Sequence, residues 1–98
     1  MVNTNYAPGR QAEYWARNEL RDIGYLVLRM AGSKGPVDLV AIGPQNVMLV
    51  QVKRIQSGEV PSFDRELAEL REIAKPAGVF CELWAWHDEH KCWFTFPA

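Results

Sequence analysis

Apolar positions recur three and four apart in the first quarter of the chain. Ala12, Ala16, Leu20 and Ile23 fall on one side of a helical wheel, with Trp15 at the flank, so the spacing predicts a helix over Gly9–Ile23. Gly24 follows in the manner of a C-cap. The pattern then shifts to short apolar runs. Tyr25–Gly32 predicts a first strand, and Val37–Gly43 and Asn46–Arg54 predict two more around a Gly43-Pro44-Gln45-Asn46 turn. After a polar loop, Ser62 stands as an N-cap and Asp64 suits the positive end of a second helix. Its apolar stripe is Phe63, Leu67, Leu70 and Ile73/Ala74, and Pro76 and Gly78 end it. Val79–Trp86 and Cys92–Phe96 read as two final strands separated by the polar turn His87–Lys91. Helix, three strands, helix, two strands predicts an α/β sandwich around a central mixed sheet. Residues 1–8 predict a flexible arm, leaving 9–98 as a single domain.

Composition adds boundaries to this picture. The 98 residues are 48% hydrophobic and 23% charged, ordinary for a globular protein. No apolar run is long enough for a transmembrane helix, and the first ten residues lack the apolar core of a signal peptide, so an intracellular, cytoplasmic location is expected, with no membrane partner. Cys81 and Cys92 lack CxxC spacing and read as small buried apolar residues. A net charge of −1 argues against a basic nucleic-acid coat protein, but not against an enzyme with local cations around an acidic site. Four Trp, three Tyr and four Phe are many for so small a core, so some should lie at a surface suited to self-association.

Asp38, Gln51 and Lys53 interrupt otherwise apolar strands without a packing reason. Alternation puts Val47, Leu49, Gln51 and Lys53 on one face of the third strand, and an antiparallel hairpin brings Asp38 to its far end. A carboxylate, an amide oxygen and an ammonium suit a divalent ion and a phosphate. Mg²⁺ takes oxygen ligands and keeps several waters, and a nearby lysine can stabilise developing negative charge. The Val52 backbone carbonyl is a further candidate ligand. Glu13 lies about 20° from Leu20 on the wheel, at the edge of the buried stripe, and Arg10, Arg17 and Arg21 fall within about 80° of it. One inward acid beside three cations fits a metal site facing a phosphate backbone. Lys34 and Arg54 flank the same region.

Each residue also has a plainer role. Asp38 and Lys53 can form a structural ion pair, Gln51 can be an edge-facing polar residue, and the three arginines can be a solvated helix face. Glu66, Glu69 and Glu72, alternating with Arg65 and Arg71, read as a charged outer helix face. Trp84 and Trp86 line one face of the fourth strand, as core, self-association surface or both. The turn residues His87–Lys91 resemble a zinc cluster only superficially.

From Gly9 to Ile55 the chain resembles the PD-(D/E)XK nuclease superfamily, and within it the archaeal-type Holliday-junction resolvases. The residues that carry the resemblance are the Gly-Arg approach to a first helix with Glu13, then Gly24, Tyr25, Val27, Arg29, Ala31, Gly32 and Ser33. Val37–Ala41 with Asp38, and Gln51-Val52-Lys53, complete it. The resemblance implies a restriction-endonuclease-like α-βββ-α-ββ sandwich with a mixed five-stranded sheet. It implies phosphodiester hydrolysis dependent on Mg²⁺, with Mn²⁺ as a substitute, by a homodimer acting on four-way or branched DNA. It assigns metal or catalytic roles to Glu13, Asp38 and Lys53, and contact with the cleaved strand to Ser33; Arg29 joins the candidate DNA contacts. The departure is Gln51, where the family pattern has Glu. An amide oxygen ligates without charge, so either metal affinity falls or another acid compensates: Glu13 first, Glu59 and Glu66 after it. The reading is a junction-resolving endonuclease. Its alternatives are a less selective nuclease of the same fold and a catalytically silent DNA-binding module.

Overall fold

The computed structural model describes residues 8–31, 35–73 and 75–98. Seven elements follow one another: α1 (Pro8–Asp22), β1 (Leu26–Arg29), β2 (Leu39–Ile42), β3 (Val47–Ile55), α2 (Asp64–Glu72), β4 (Val79–His87) and β5 (Cys92–Pro97). The strands form a sheet in the order β1-β2-β3-β4-β5. Only β3 and β4 run parallel, and α2 makes the crossover that a parallel pair requires. The mixed five-stranded α/β sandwich expected from the sequence is the observed architecture.

Two cores lie on opposite faces of the sheet. Ala12, Ala16 and Leu20 of α1 pack on Val27, Leu39, Ala41, Met48, Val50 and Val52. Their helical spacing meets the strands' two-residue spacing, and each supplies one apolar side. Phe63, Leu67 and Leu70 pack on Ile55, Cys81, Leu83 and Ala85 of the other face. Trp15, Trp84, Trp86 and Trp93 extend the α1 side through tilted and edge contacts at 5.3–5.5 Å between centroids, so much of the Trp84/Trp86 surface is core.

Several boundaries differ from expectation. Pro8 opens α1, where its missing N–H costs nothing; residues 1–7 of the expected arm lie outside the described residues. β1 and β2 are shorter than their apolar runs, so Asp38 sits just before β2 rather than within it. Ser62 is not the N-cap of α2. Phe63 is, in the left-handed region at φ 55°, with its ring buried against Phe96. Burying that aromatic face outweighs the side-chain cap a serine offers. Cys92 is exposed, because β5 is an edge strand and Cys92 opens it; only Cys81 is the buried thiol expected. Among the described residues no helix is long and apolar enough to cross a membrane.

Candidate active site

The polar residues of β3 gain their setting from a difference in strand length. Pairing of β2 with β3 ends at Leu39 and Val50, while β3 runs on to Ile55. Continuing that register puts Asp38 beside Gln51. The Asp38 backbone is held from both sides: its N–H donates to Val50 O and its carbonyl accepts from Met30 N–H, both at 2.8 Å. Its carboxylate Oδ2 then accepts the Val52 N–H at 2.8 Å, standing in for the strand partner β2 no longer supplies. In an extended strand the N–H and C=O of one residue point to the same side, so the Val52 carbonyl also opens toward Asp38.

Burial pushes the Asp38 carboxyl above its ordinary value, and the Glu13 charge adds to that rise. The Val52 N–H, Lys53 and Arg29 pull against it. The acid from α1, the acid before β2 and the lysine of β3 therefore share one electrostatic neighbourhood. Glu13 is half-buried and accepts a hydrogen bond from Arg29 Nε at 3.0 Å. Lys53 Nζ stands 3.9 Å from Glu66 Oε2 of α2. On the same strand, Gln51 Oε1 is buried with no hydrogen-bond partner. An acceptor left unpaired in the interior costs roughly 1–3 kcal/mol, so it calls for an explanation.

A divalent cation fits that explanation. A desolvated carboxylate, an orphaned amide oxygen and a backbone carbonyl form an all-oxygen donor set of the kind hard cations take. Among the described residues no three His, Cys, Asp or Glu side chains cluster as a metal site. The turn after β4 holds no zinc arrangement. His87 is fully buried, its Nε2 lies 2.6 Å from Gly58 O, and its Nδ1 accepts from the Glu89 and His90 N–H groups. Both ring nitrogens are thus used by the backbone. The signal was in the spacing, since His87 continues the buried positions Leu83 and Ala85.

The candidate DNA contacts divide. Arg17 lies over the Tyr14 ring at 4.8 Å and Arg29 over the same ring at 5.3 Å, so two guanidiniums flank Glu13. Arg10 and Arg21 are exposed on α1. Ser33 and Lys34 lie outside the described residues. Arg54 does not flank the site. It hydrogen-bonds Asp88 at 3.0–3.2 Å and lies over Trp15 at 5.1 Å, on the α1 face of the sheet. The reason is alternation: Arg54 follows Lys53 directly and points the other way. Glu66 also departs from expectation, being turned toward Lys53 while Glu69 and Glu72 are exposed.

The fold is a restriction-endonuclease-like mixed α/β sandwich. The chain is 32% identical over 83 residues to the crossover junction endodeoxyribonuclease Hjc of Sulfurisphaera tokodaii, a match covering 79% of this chain and 58% of that relative. This chain thus spans less than two thirds of that protein's length. It superimposes on Archaeoglobus fulgidus Hjc, a Holliday junction resolvase from an archaeal hyperthermophile, with a TM-score of 0.74 at 23% identity, covering 93% of this chain and 73% of the other. A bacterial homing endonuclease matches with a TM-score of 0.63 at 22% identity, over 99% of this chain and 67% of its own. No family model matches the chain. The resemblance to archaeal-type Holliday-junction resolvases read from the sequence is borne out by the Hjc relationship.

Proposed function

We propose that this chain is a metal-dependent endodeoxyribonuclease that hydrolyses phosphodiesters at four-way or branched DNA junctions. The observation that carries the proposal is the buried Asp38 carboxylate bound to the Val52 N–H, between Gln51, whose buried Oε1 has no partner, and Lys53, where β2 stops and β3 continues. Its sequence relationship to a crossover junction endodeoxyribonuclease supports the substrate class.

Asp38, Gln51, Glu13 and the Val52 carbonyl are the residues that would hold Mg²⁺ or Mn²⁺. When bound, such an ion supplies a water of lowered pKa and neutralises charge on the reacting phosphate. Lys53 carries its ammonium on the same strand face as Gln51. It balances negative charge on a non-bridging phosphate oxygen and orients the attacking water. The water oxygen forms the new bond to phosphorus, the bond to one bridging oxygen breaks, and that oxygen leaves with a proton. Arg17 and Arg29, with the exposed Arg10 and Arg21 of α1, hold the flanking backbone, and Ser33 and Lys34 keep the DNA-contact roles expected from the sequence.

A second copy of the chain completes the proposal. Leu26 and Leu28 of β1 are 60% and 51% exposed, and Ile42 of β2, which pairs with Leu26, is 37% exposed. They lie on the sheet face opposite α1, in the half that α2 does not cover. Such a patch matches the apolar centre of a homodimer. Two sites in one dimer suit two phosphates of one junction. Action on DNA fits a protein that works inside the cell. Cleavage of a junction into nicked duplexes that EDTA stops and Asp38→Asn abolishes tests the chemistry.

A further inference from the structure

Two successive residues of α1, Glu13 and Tyr14, meet the side chain that closes β1. Arg29 shares the strand face of Val27, which packs under α1. Its Nε donates to Glu13 Oε1 at 3.0 Å, and its guanidinium carbon lies 5.3 Å from the centre of the Tyr14 ring. Arg17, three residues after Tyr14 and so on the same side of the helix, lies over that ring at 4.8 Å. One half-buried tyrosine thus gathers a guanidinium from the sheet and another from the helix. Arg10 and Arg21 of the same helix are exposed.

The two gathered cations are balanced unequally. Arg29 is paired with Glu13. Arg17 meets no carboxylate among the described residues. Its Nη2 reaches only the neighbouring Asn18 Oδ1, at 3.4 Å, and its Nε is buried with no hydrogen-bond partner. A charged donor left unpaired out of water calls for an anionic acceptor. Two guanidiniums and one carboxylate leave one positive charge, the complement of a single phosphodiester. Like charges gathered this closely repel one another, and the negative face of the ring offsets that repulsion. An arginine already seated on a ring also loses less side-chain freedom on gripping a phosphate than an exposed one does.

We infer that Tyr14 is the positioning residue of a two-guanidinium clamp, its ring fixing Arg17 and Arg29 to grip one phosphodiester of the bound DNA strand beside Glu13. The inference deepens the junction-binding reading above and rests on it. Arg17 and Arg29 touch the phosphate, and Tyr14 acts through them. The aromatic ring carries the role, and the hydroxyl does not.

Fluorescence anisotropy titrations of a labelled four-way DNA with the full chain, run with EDTA over a range of salt concentrations, test it. Wild type, Tyr14→Phe, Tyr14→Leu, Arg17→Ala, the Tyr14→Leu/Arg17→Ala double variant and the exposed α2 control Arg71→Ala are compared. Tyr14→Leu is expected to weaken binding roughly tenfold and to flatten the slope of log K against log salt by about 1 to 2. Tyr14→Phe keeps the ring and is expected to keep both values, and Arg71→Ala is expected to change neither. The double variant is expected to lose less than the two single losses combined, because both act through one clamp. Thermal melts check that each variant is folded; Tyr14→Met, which keeps apolar bulk without a ring, gives the same readout if Tyr14→Leu fails to fold. Wild-type affinity and slope in Tyr14→Leu, or losses that add in full with Arg17→Ala, overturn the role of Tyr14 and leave DNA binding standing. A loss in Tyr14→Phe as large as in Tyr14→Leu overturns the ring platform. A wild-type chain with no salt-dependent binding of the junction overturns the DNA reading, and the clamp with it.

Discussion

The Asp38 carboxylate accepts the Val52 N–H at 2.8 Å, in the place a strand partner would occupy. That bond fixes the proposed metal ligand to the backbone between Gln51 and Lys53. The same carboxylate is desolvated, so its folded-state pKa lies above the ordinary value. The sign follows directly. A carboxyl with a raised folded pKa favours folding when protonated and opposes it once ionised, so Asp38 costs the metal-free fold stability at neutral pH. Asp38→Asn keeps an acceptor for Val52 and removes the charge. Metal-free Asp38→Asn is expected to melt higher than wild type at neutral pH, with the gap closing as the pH falls and Asp38 protonates. Its cleavage rate is expected to drop by on the order of 10²-fold or more. Thermal melts across pH, run with EDTA, check the first half; a lower melting point at neutral pH contradicts it.

Arg54 and Asp88 join strand β3 to the turn after β4, away from the site. Hydrogen bonding to Arg54 holds the Asp88 carboxyl below its usual range. A depressed folded pKa gives stability that is present above the unfolded value and lost as the pH falls through the folded one. Asp88→Asn is therefore expected to lower the melting temperature at neutral pH, and the difference is expected to shrink in acid below the ordinary carboxyl value of 3.8. Equal differences at neutral and strongly acid pH contradict this role.

Most of the architecture was legible in periodicity. The helical spacing of Ala12, Ala16 and Leu20 and the two-residue spacing of β3 each predict one buried side, and both sides are buried. The Asp38, Gln51 and Lys53 constellation was legible because polar residues in apolar strands have no packing cause. What periodicity does not encode is where neighbouring strands stop. The early end of β2 leaves Val52 to the Asp38 side chain, and no local signal announces it. Phe63 displaced Ser62 as the cap through a contact with Phe96, more than thirty residues distant. The inward turn of Glu66 depends on how α2 docks, so its charge pattern with Glu69 and Glu72 reads as uniformly solvated.

Different partners predict different DNA behaviour for two arginines on the α1 side of the sheet. Arg17 lies over Tyr14 near Glu13, whereas Arg54 is bound to Asp88. Arg17→Ala is expected to weaken junction binding and reduce the salt slope of log K by about 1, one phosphate contact fewer. Arg54→Ala is expected to leave that slope unchanged. Fluorescence anisotropy titrations over a range of salt concentrations measure both, and the reverse pattern contradicts the placement.

The uncovered sheet face predicts self-association. Leu28 is half exposed beside Leu26 and Ile42. A lysine there puts a charge in the centre of the proposed dimer contact. Leu28→Lys is expected to shift sedimentation from dimer to monomer without lowering the melting temperature of the isolated chain. A wild-type chain that sediments as a monomer at all concentrations removes this face from the account.

The central claim is tested most directly by cleavage of matched four-way and linear DNAs of the same sequence, with Mg²⁺ or Mn²⁺ and with EDTA. The account predicts nicked duplex products from the junction, far slower cutting of the linear DNA, and no products with EDTA or with Asp38→Asn. Tight junction binding with no cleavage in either metal, unchanged by Gln51→Glu, would contradict it and leave a protein that holds junctions without cutting them.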